Sequence, residues 1–371
     1  MDPGRLRDSF ARVAMHGDAV ALFFYSDLFL RHPETRDMFP VSMAAQRDRL
    51  INALGRIVAE AGRLEELAPF LQVLGRDHRK FGALADHYAP VGESLLATLA
   101  HFSGEDWTPD LAAEWTAAYE LVAQVMTDAA AHDARRNPAY WDATVLSHEL
   151  RSFDIAVIRV ATVQPLPYRP GQSVAVETAL QPRLWRYYSM ANAPREDSTI
   201  DFHVRMIDGG AVSMALTRGL EAGSWLRLGA PVGNLTFDTK PGRNVLLIGG
   251  STGLAPVKAI AEQLSEMAEP PRTHLFMGAR TEEGLYDLPA LEKLAAGAPW
   301  LRVTACVSDQ PDYAGQRGDL ADVVARSGPW NGYDAYLAGS TAMTDAVASR
   351  LASLGIPDTQ IHVEDFGWSN P

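Results

Sequence analysis

Apolar residues recur at helical spacing through the first third of the chain. Leu50, Leu54, Ile57 and Val58 share one face, Val91, Leu95, Leu96 and Leu99 another, and Trp115, Tyr119, Val122 and Met126 a third. Thr108-Pro109 supplies a cap and a first-turn proline ahead of the last of these. Strand-like alternation is nearly absent before residue 133, so residues 1–133 are predicted to form an all-α domain of six to eight helices. The polar stretch 134–140 reads as a linker. From about residue 144 the period drops to two. Strands are predicted at 154–160, 173–177, 200–206 and 225–228, punctuated by Pro170-Gly171, Asp208-Gly209-Gly210 and Pro231-Val232-Gly233-Asn234. That is the pattern of an antiparallel β-barrel. After Pro241-Gly242, apolar runs at 245–248, 273–277, 301–307, 335–338 and 361–363 alternate with helical segments, which predicts a doubly wound parallel sheet. The expected architecture is multidomain: an all-α domain over 1–133, a barrel over 134–239 and an α/β domain over 240–371.

Composition narrows what these domains handle. The formal charge of −13 argues against nucleic-acid partners, which demand a basic footprint. There is no apolar run long enough to span a membrane, and Asp8, Arg12 and Asp18 interrupt any leader-like stretch at the start. The single cysteine, Cys306, excludes an internal disulfide framework and cysteine-rich metal sites, and it fits a core position in a strand. The expectation is a cytoplasmic enzyme acting on small molecules, as a monomer or weak homodimer, with any redox chemistry supplied by bound cofactors.

The α/β domain carries the clearest motif. Gly249-Gly250-Ser251-Thr252-Gly253 joins the first strand to the first helix, followed by Leu254, Ala255 and Pro256. Glycines admit a phosphate close to the backbone, the helix N-terminus supplies donors, and a proline is tolerated in the first turn. Gly339 follows the fourth strand at the same sheet edge, where ligands of such sheets bind. Arg280 ends the second strand where an adenosine ribose would lie. Glu282 and Glu283 beside it disfavour a 2′-phosphate, which tilts the reading of NAD(P)H toward NADH. In the barrel, Arg186-Tyr187-Tyr188-Ser189 combines a cation for pyrophosphate, aromatics for a flat ring and a hydroxyl for a ring nitrogen. His203-Val204-Arg205 follows on a later strand. Gly210, Val212 and Ser213 then form a second anion-binding turn into a helix.

Taken in order, these motifs resemble the ferredoxin–NADP reductase superfamily. The resemblance implies FAD held by Arg186, Tyr187, Tyr188, Ser189, His203, Val204 and Arg205, with Gly210, Val212 and Ser213 at its pyrophosphate. It implies NAD(P)H on Gly250 to Pro256, Arg280 and Gly339. The terminal run Glu364-Asp365-Phe366-Gly367-Trp368 is similar to the aromatic segment that covers the flavin in that family, with Phe366 as the cover.

An all-α domain ahead of such a module resembles the flavohaemoglobins, and more narrowly their divergent actinobacterial subgroup. The carrying segments are Phe24-Tyr25, Pro33–Phe39, Gln46-Arg47, Leu74-Gly75-Arg76-Asp77-His78-Arg79-Lys80-Phe81 and Tyr88-Ala89-Pro90-Val91-Gly92-Glu93. The resemblance implies a globin holding haem b, with His78 as the proximal iron ligand. Tyr25 and Gln46 would direct polar groups at an iron-bound ligand, Phe39 would pack on the porphyrin, and Leu50 would close the distal pocket. In flavohaemoglobins a tyrosine and a glutamate of the last helix back the proximal histidine. Tyr88 stands at the first position, and alignment puts His132 at the second. Asp77 occupies the place of a usual bridging lysine, so it and Glu364 are expected to meet where the haem and flavin domains join, unless Arg76, Arg79 or Lys80 takes the bridging role. The implied function is nitric oxide dioxygenation, NO and O2 going to nitrate with electrons passed from NAD(P)H through FAD to haem. Two alternatives stay open: an electron-transfer oxidoreductase using NAD(P)H or another small donor, with weak dioxygenase activity, and a haem-based gas sensor.

Overall fold

A computed structural model describes residues 2–238 and 242–364. They divide into two compact units, residues 2–140 and residues 141–364.

The first unit is all-helical. Its helices are α1 (Pro3–Ala14), α2 (Asp18–Arg31), α3 (Ala44–Glu60), α4 (Leu64–His78), α5 (Tyr88–Ser103) and α6 (Pro109–Ala134), with a 3-10 turn over Pro33–Met38. Sequence signals set their starts. The Asp2 carboxylate accepts from the Gly4 amide at 2.8 Å ahead of Pro3, and the Thr108 hydroxyl accepts from Leu111 at 3.3 Å ahead of Pro109. The apolar faces converge on two clusters. One gathers Leu6, Phe10, Val13, Phe24, Tyr25, Leu28, Leu99 and Trp115, and the other Leu67, Phe70, Leu71 and Met126. Full burial of a leucine such as Leu67 or Leu71 is worth about 1.5–3 kcal/mol. Gly75 permits the closest approach between helices: a Cβ there would lie 2.3 Å from the Met126 carbonyl oxygen. That contact presses the end of α4, and hence His78, against α6.

The second unit holds two six-stranded sheets. The strands β1 (Trp141–Leu150), β2 (Ile155–Thr162), β3 (Ser173–Thr178), β4 (Gln181–Ser189), β5 (Thr199–Arg205) and β6 (Trp225–Leu228) pair antiparallel in the order β4-β3-β6-β1-β2-β5. A bridge between Met190 and Phe202 brings the two edges together, so the sheet curls into a barrel around Ile158, Val160, Phe202, Val204 and Leu226. Helix α7 (Ala211–Arg218) packs on it. The second sheet comprises β7 (Asn244–Gly250), β8 (Thr273–Ala279), β9 (Leu301–Val307), β10 (Gln316–Arg317), β11 (Tyr333–Ala338) and β12 (Ile361–Val363). All its pairs are parallel, in the order β10-β9-β8-β7-β11-β12. Helices α8 (Leu254–Ser265), α9 (Leu288–Ala296), α10 (Leu320–Ser327) and α11 (Thr341–Ser353) connect these strands. The winding reverses between β7 and β11, the position where doubly wound sheets bind ligands. Cys306 is buried in β9, and burial pushes its thiol up to about 11, so it stays an unreactive core residue. Among the described residues no single helix is long and apolar enough to cross a membrane.

Two strands went beyond the sequence expectation. β1 begins at Trp141, directly after the stretch read as a linker, and the two-residue β10 carries no hydrophobic pattern that could have announced it.

Candidate functional site

His78 is the last residue of α4. Its Nδ1 lies 2.7 Å from the Leu74 carbonyl one turn back, so Nδ1 carries the proton and Nε2 keeps its lone pair. Burial lowers the imidazole's pKa and holds the ring neutral. This is the donor state an iron ligand requires. A second group of candidate residues lies on α2, α3 and the turn between them. Tyr25 is buried among Phe24, Phe29 and Phe39, with the Phe39 ring edge-on at 5.4 Å. Its hydroxyl reaches the Gln46 backbone carbonyl at a long 3.4 Å, and burial pushes its pKa up to about 12, so it remains a donor. The structure therefore brings Tyr25 and Gln46 side by side, with Phe39 and Leu50 half-buried around the same cluster. A neutral imidazole with a free Nε2, together with a phenol donor and an apolar surround, fits haem.

The expected backing of His78 differs from what α6 supplies. Tyr88, the first residue of α5, packs on the cluster of Leu67, Phe70, Leu71 and Met126, and its backbone carbonyl accepts the Tyr119 hydroxyl. His132 is exposed in the last turn of α6 with its Nδ1 2.9 Å from Arg135, so it does not stand behind His78. Met126 faces Gly75 and Asp133 pairs with Arg79. By helical spacing the residues between them on that face are Ala129 and Ala130. A carbonyl, not a carboxylate, is the partner of Nδ1, and it donates less electron density through the imidazole. Asp77 is buried and pairs with Lys80, whose pKa burial lowers; a buried charge of this kind is tolerable only with its partner in place. Arg79 is also bonded to the Asn137 carbonyl at 2.9 Å.

In the second unit Arg186, Tyr187, Tyr188 and Ser189 end β4. Arg186 donates to the Trp185 carbonyl at 2.9 Å, and Tyr188 packs on the barrel core. The Ser189 hydroxyl donates to the Glu364 carboxyl, whose pKa burial pushes up to about 7. Glu364 thus has a partner within its own unit. Phe366 lies outside the described residues. At α7, Ser213 Oγ accepts from the Ile207 amide at 3.1 Å and donates to the Gly210 carbonyl at 3.0 Å, which closes the turn ahead of the helix, while Val212 is buried beneath it.

Register divides the His203-Val204-Arg205 triplet between the two faces of β5. Val157 pairs with His203 and Ile155 with Arg205, while Ile158 pairs with Phe202. Phe202 and Val204 fill the barrel. The His203 and Arg205 side chains therefore project from the opposite face, where Ile155 and Val157 pack against the core of the nucleotide half. The His203 ring bonds Tyr286 at 2.9 Å. Arg205 bridges Asp154 at 2.7 Å and Ser251 Oγ at 3.3 Å. Neither side chain points toward the Val204 side of its strand.

The turn Gly250-Ser251-Thr252-Gly253 lies after β7, and Gly339 after β11, at the reversal of the winding. A Cβ at Gly253 would sit 2.3 Å from the Ala338 carbonyl oxygen, so glycine is needed for the turn to meet β11. Leu254, Ala255 and Pro256 are buried in the first turn of α8. Arg280 is exposed beyond β8, and the Glu282 amide donates to Gln310 at 2.8 Å. Sequence reasoning missed Met343, whose side chain crowds both Gly250 and Gly339 from α11. It also missed Tyr119, Lys258, Tyr286 and Asp287. Only an aspartate at a helix start, Asp287, left any signal.

Comparison with known proteins agrees with this division. The globin family matches residues 22–126, the oxidoreductase FAD-binding domain 141–237, and the oxidoreductase NAD-binding domain 247–349. The ferredoxin–NAD(P)(+) reductase component of the naphthalene 1,2-dioxygenase/salicylate 5-hydroxylase systems of a Ralstonia species is 35% identical over 225 residues, 60% of this chain and 68% of that protein. A flavohemoprotein of Bordetella pertussis is 29% identical over 95% of this chain and 94% of its own. Among solved structures, a flavohemoglobin of Malassezia yamatoensis superposes over 98% of both chains with a TM-score of 0.80 at 19% identity, which speaks for the fold.

Proposed function

Because the chain belongs to the flavohaemoglobin family, a globin followed by FAD-binding and NAD-binding reductase domains, we propose that this oxidoreductase draws electrons from NAD(P)H to turn nitric oxide and dioxygen into nitrate. In this reading residues 1–133 hold haem b, 134–239 hold FAD and 240–371 hold the nicotinamide dinucleotide. The observation that carries it is His78, a neutral imidazole fixed by Leu74 with Nε2 left to bind iron. Bound haem supplies the iron that activates dioxygen, and FAD supplies the exchange between a two-electron donor and one-electron steps.

The chain's own residues position and shield. Tyr25 O–H and Gln46 stabilise a ligand that gains negative charge, while Phe39 and Leu50 keep water from it. Arg186 and the amides of the Ala211–Ser213 turn meet pyrophosphate charge, and Tyr188, on the same face of β4 as Arg186, lies along a flat ring. Ser189 holds a proton against Glu364. The Gly250–Gly253 turn and the N-terminus of α8 receive the dinucleotide phosphates, with Gly339 beside them. Glu282 and Glu283 repel a 2′-phosphate, so NADH is preferred over NADPH.

The test is NADH-driven consumption of nitric oxide in air, with nitrate measured as product. Rapid reduction of the flavin by NADH with negligible nitrate formation would sink the dioxygenase reading. Replacing NADH by NADPH should lower kcat/KM. Tyr25→Phe should raise the dioxygen dissociation rate about tenfold, the worth of one charge-assisted hydrogen bond; stopped-flow ligand release reads this, and an unchanged rate would place Tyr25 elsewhere. A second reading is an NAD(P)H-dependent electron-transfer oxidoreductase with weak dioxygenase activity. It is favoured by the alanines where a carboxylate would back His78, and by the closer identity of the second unit to a ferredoxin reductase component.

A further inference from the structure

The outward face of β5 carries three polar side chains at alternate positions, and each connects to the nucleotide half. Asp201 holds Arg195 at 3.0 Å, which reaches Glu262 of α8 at 3.6 Å. Arg205 reaches Ser251 in the glycine turn. Between them lies His203, 4% exposed, with Nδ1 on the Tyr286 hydroxyl. Tyr286 and Asp287 lead into α9, and Lys258 of α8 donates to Asp287 Oδ2 at 2.6 Å.

Two features set this cluster apart. Asp287 occupies the N-cap of α9, where an aspartate ordinarily accepts from first-turn amides. It makes no such bond and gives its carboxylate to Lys258. His203 Nε2 is buried with no hydrogen-bond partner and points at that same carboxylate from 3.9 Å. The gap is about 1 Å longer than a hydrogen bond, and leaving a buried polar ring nitrogen unpaired is costly. Lys258 sits on the helix whose N-terminus bears the dinucleotide turn, and His203 sits on the strand bridged to the end of β4. The cluster therefore spans from the flavin barrel to the nucleotide turn.

We propose that His203 is a positioning residue: with Tyr286, Asp287 and Lys258 it sets the spacing between the barrel and the dinucleotide turn, and seating of the nicotinamide dinucleotide closes the His203–Asp287 gap. This rests on the reading that NADH reduces a flavin held at Arg186–Ser189. Hydride passes only between atoms within about 3–3.5 Å, and a misplacement of about 1 Å can lower the rate by about 100-fold. His203 touches neither reacting atom and acts through the spacing.

The experiment is anaerobic stopped-flow reduction of the full-length holoprotein by NADH, comparing wild type with His203→Phe, Tyr286→Phe and His203→Gln. His203→Phe is expected to lower the limiting rate of flavin reduction about tenfold or more, with NADH affinity changed less than about threefold and FAD content unchanged. Tyr286→Phe should lower the same rate without adding to the loss in the double variant. His203→Gln, which keeps an N–H near the position of Nε2, should recover most of it. A wild-type limiting rate in His203→Phe would overturn the proposal. So would a loss that tracks released FAD or lowered Tm and that glutamine does not rescue, since that marks a purely structural cluster. A wild-type protein whose flavin NADH does not reduce would overturn the broader reading itself.

Discussion

His78→Ala is expected to remove the haem absorbance band of the purified protein while leaving its flavin absorbance in place. The imidazole has no substitute in the first unit. Tyr25 is held as a neutral phenol by burial, His132 is exposed and bound to Arg135, and His101 stacks on Phe23. Removing the ring also takes the side-chain donor from the Leu74 carbonyl at the end of α4. The flavin elements stand in the other compact unit and keep their own core, so flavin content serves as the internal control. Added imidazole should restore much of the band, because the lost group is a diffusible ligand. A normal band in His78→Ala without added imidazole would refute the assignment. His132→Ala should leave the band intact.

What the sequence disclosed and what it hid separate along physical lines. Period-3.6 and period-2 patterns report which face is buried, so the helical unit, the barrel and the α/β order were legible, as were capped starts such as Thr108-Pro109. The glycine turn was legible because phosphate access and the close approach at Gly253 both demand glycine. The backing of His78 was not. Ala129, Ala130 and Ala131 carry no apolar contrast, so nothing in the pattern tells which turn of α6 faces the imidazole, and the alignment placed His132 where the helix is already exposed. The face that His203 presents was hidden for a different reason: strand pleating sends neighbours to opposite faces, and only pairing with Val157 reveals which face meets the nucleotide half. Tyr286, Asp287 and Lys258 join His203 across 29 to 84 positions, and Glu364 meets Ser189 across 175. Such pairings are made by the winding of the sheets and leave no local signal.

Glu364→Gln is expected to slow the loss of electrons from reduced flavin by about 100-fold and to abolish its pH dependence, within the range typical of a positioned acid–base group. Burial raises the Glu364 carboxyl to about 7, and the Ser189 hydroxyl, which donates to it, offsets only part of that rise. The group is therefore neutral below about pH 7 and a carboxylate above it. Hydride transfer delivers the electrons and the hydrogen together, so the reductive limb needs no proton from Glu364 and should stay flat with pH. With FAD held at Arg186–Ser189, the Ser189 hydroxyl and Glu364 Oε1 would form a path for the proton that flavin oxidation releases, and Glu364 could accept it only when ionised. The oxidative limb should therefore rise between pH 6 and 8 with a midpoint near 7. Ser189→Ala should slow the same limb and move the midpoint upward, because the bond that lowers the Glu364 pKa is gone. Stability follows the opposite course. The folded pKa lies above the ordinary value of 4.5, so the contribution of this group is complete below that value and is lost as pH rises through about 7. Tm should fall across that interval in the wild type and less so in Glu364→Gln. A wild-type oxidative limb that is flat from pH 6 to 8, or a glutamine variant at the wild-type rate, would mean that the proton leaves by another path.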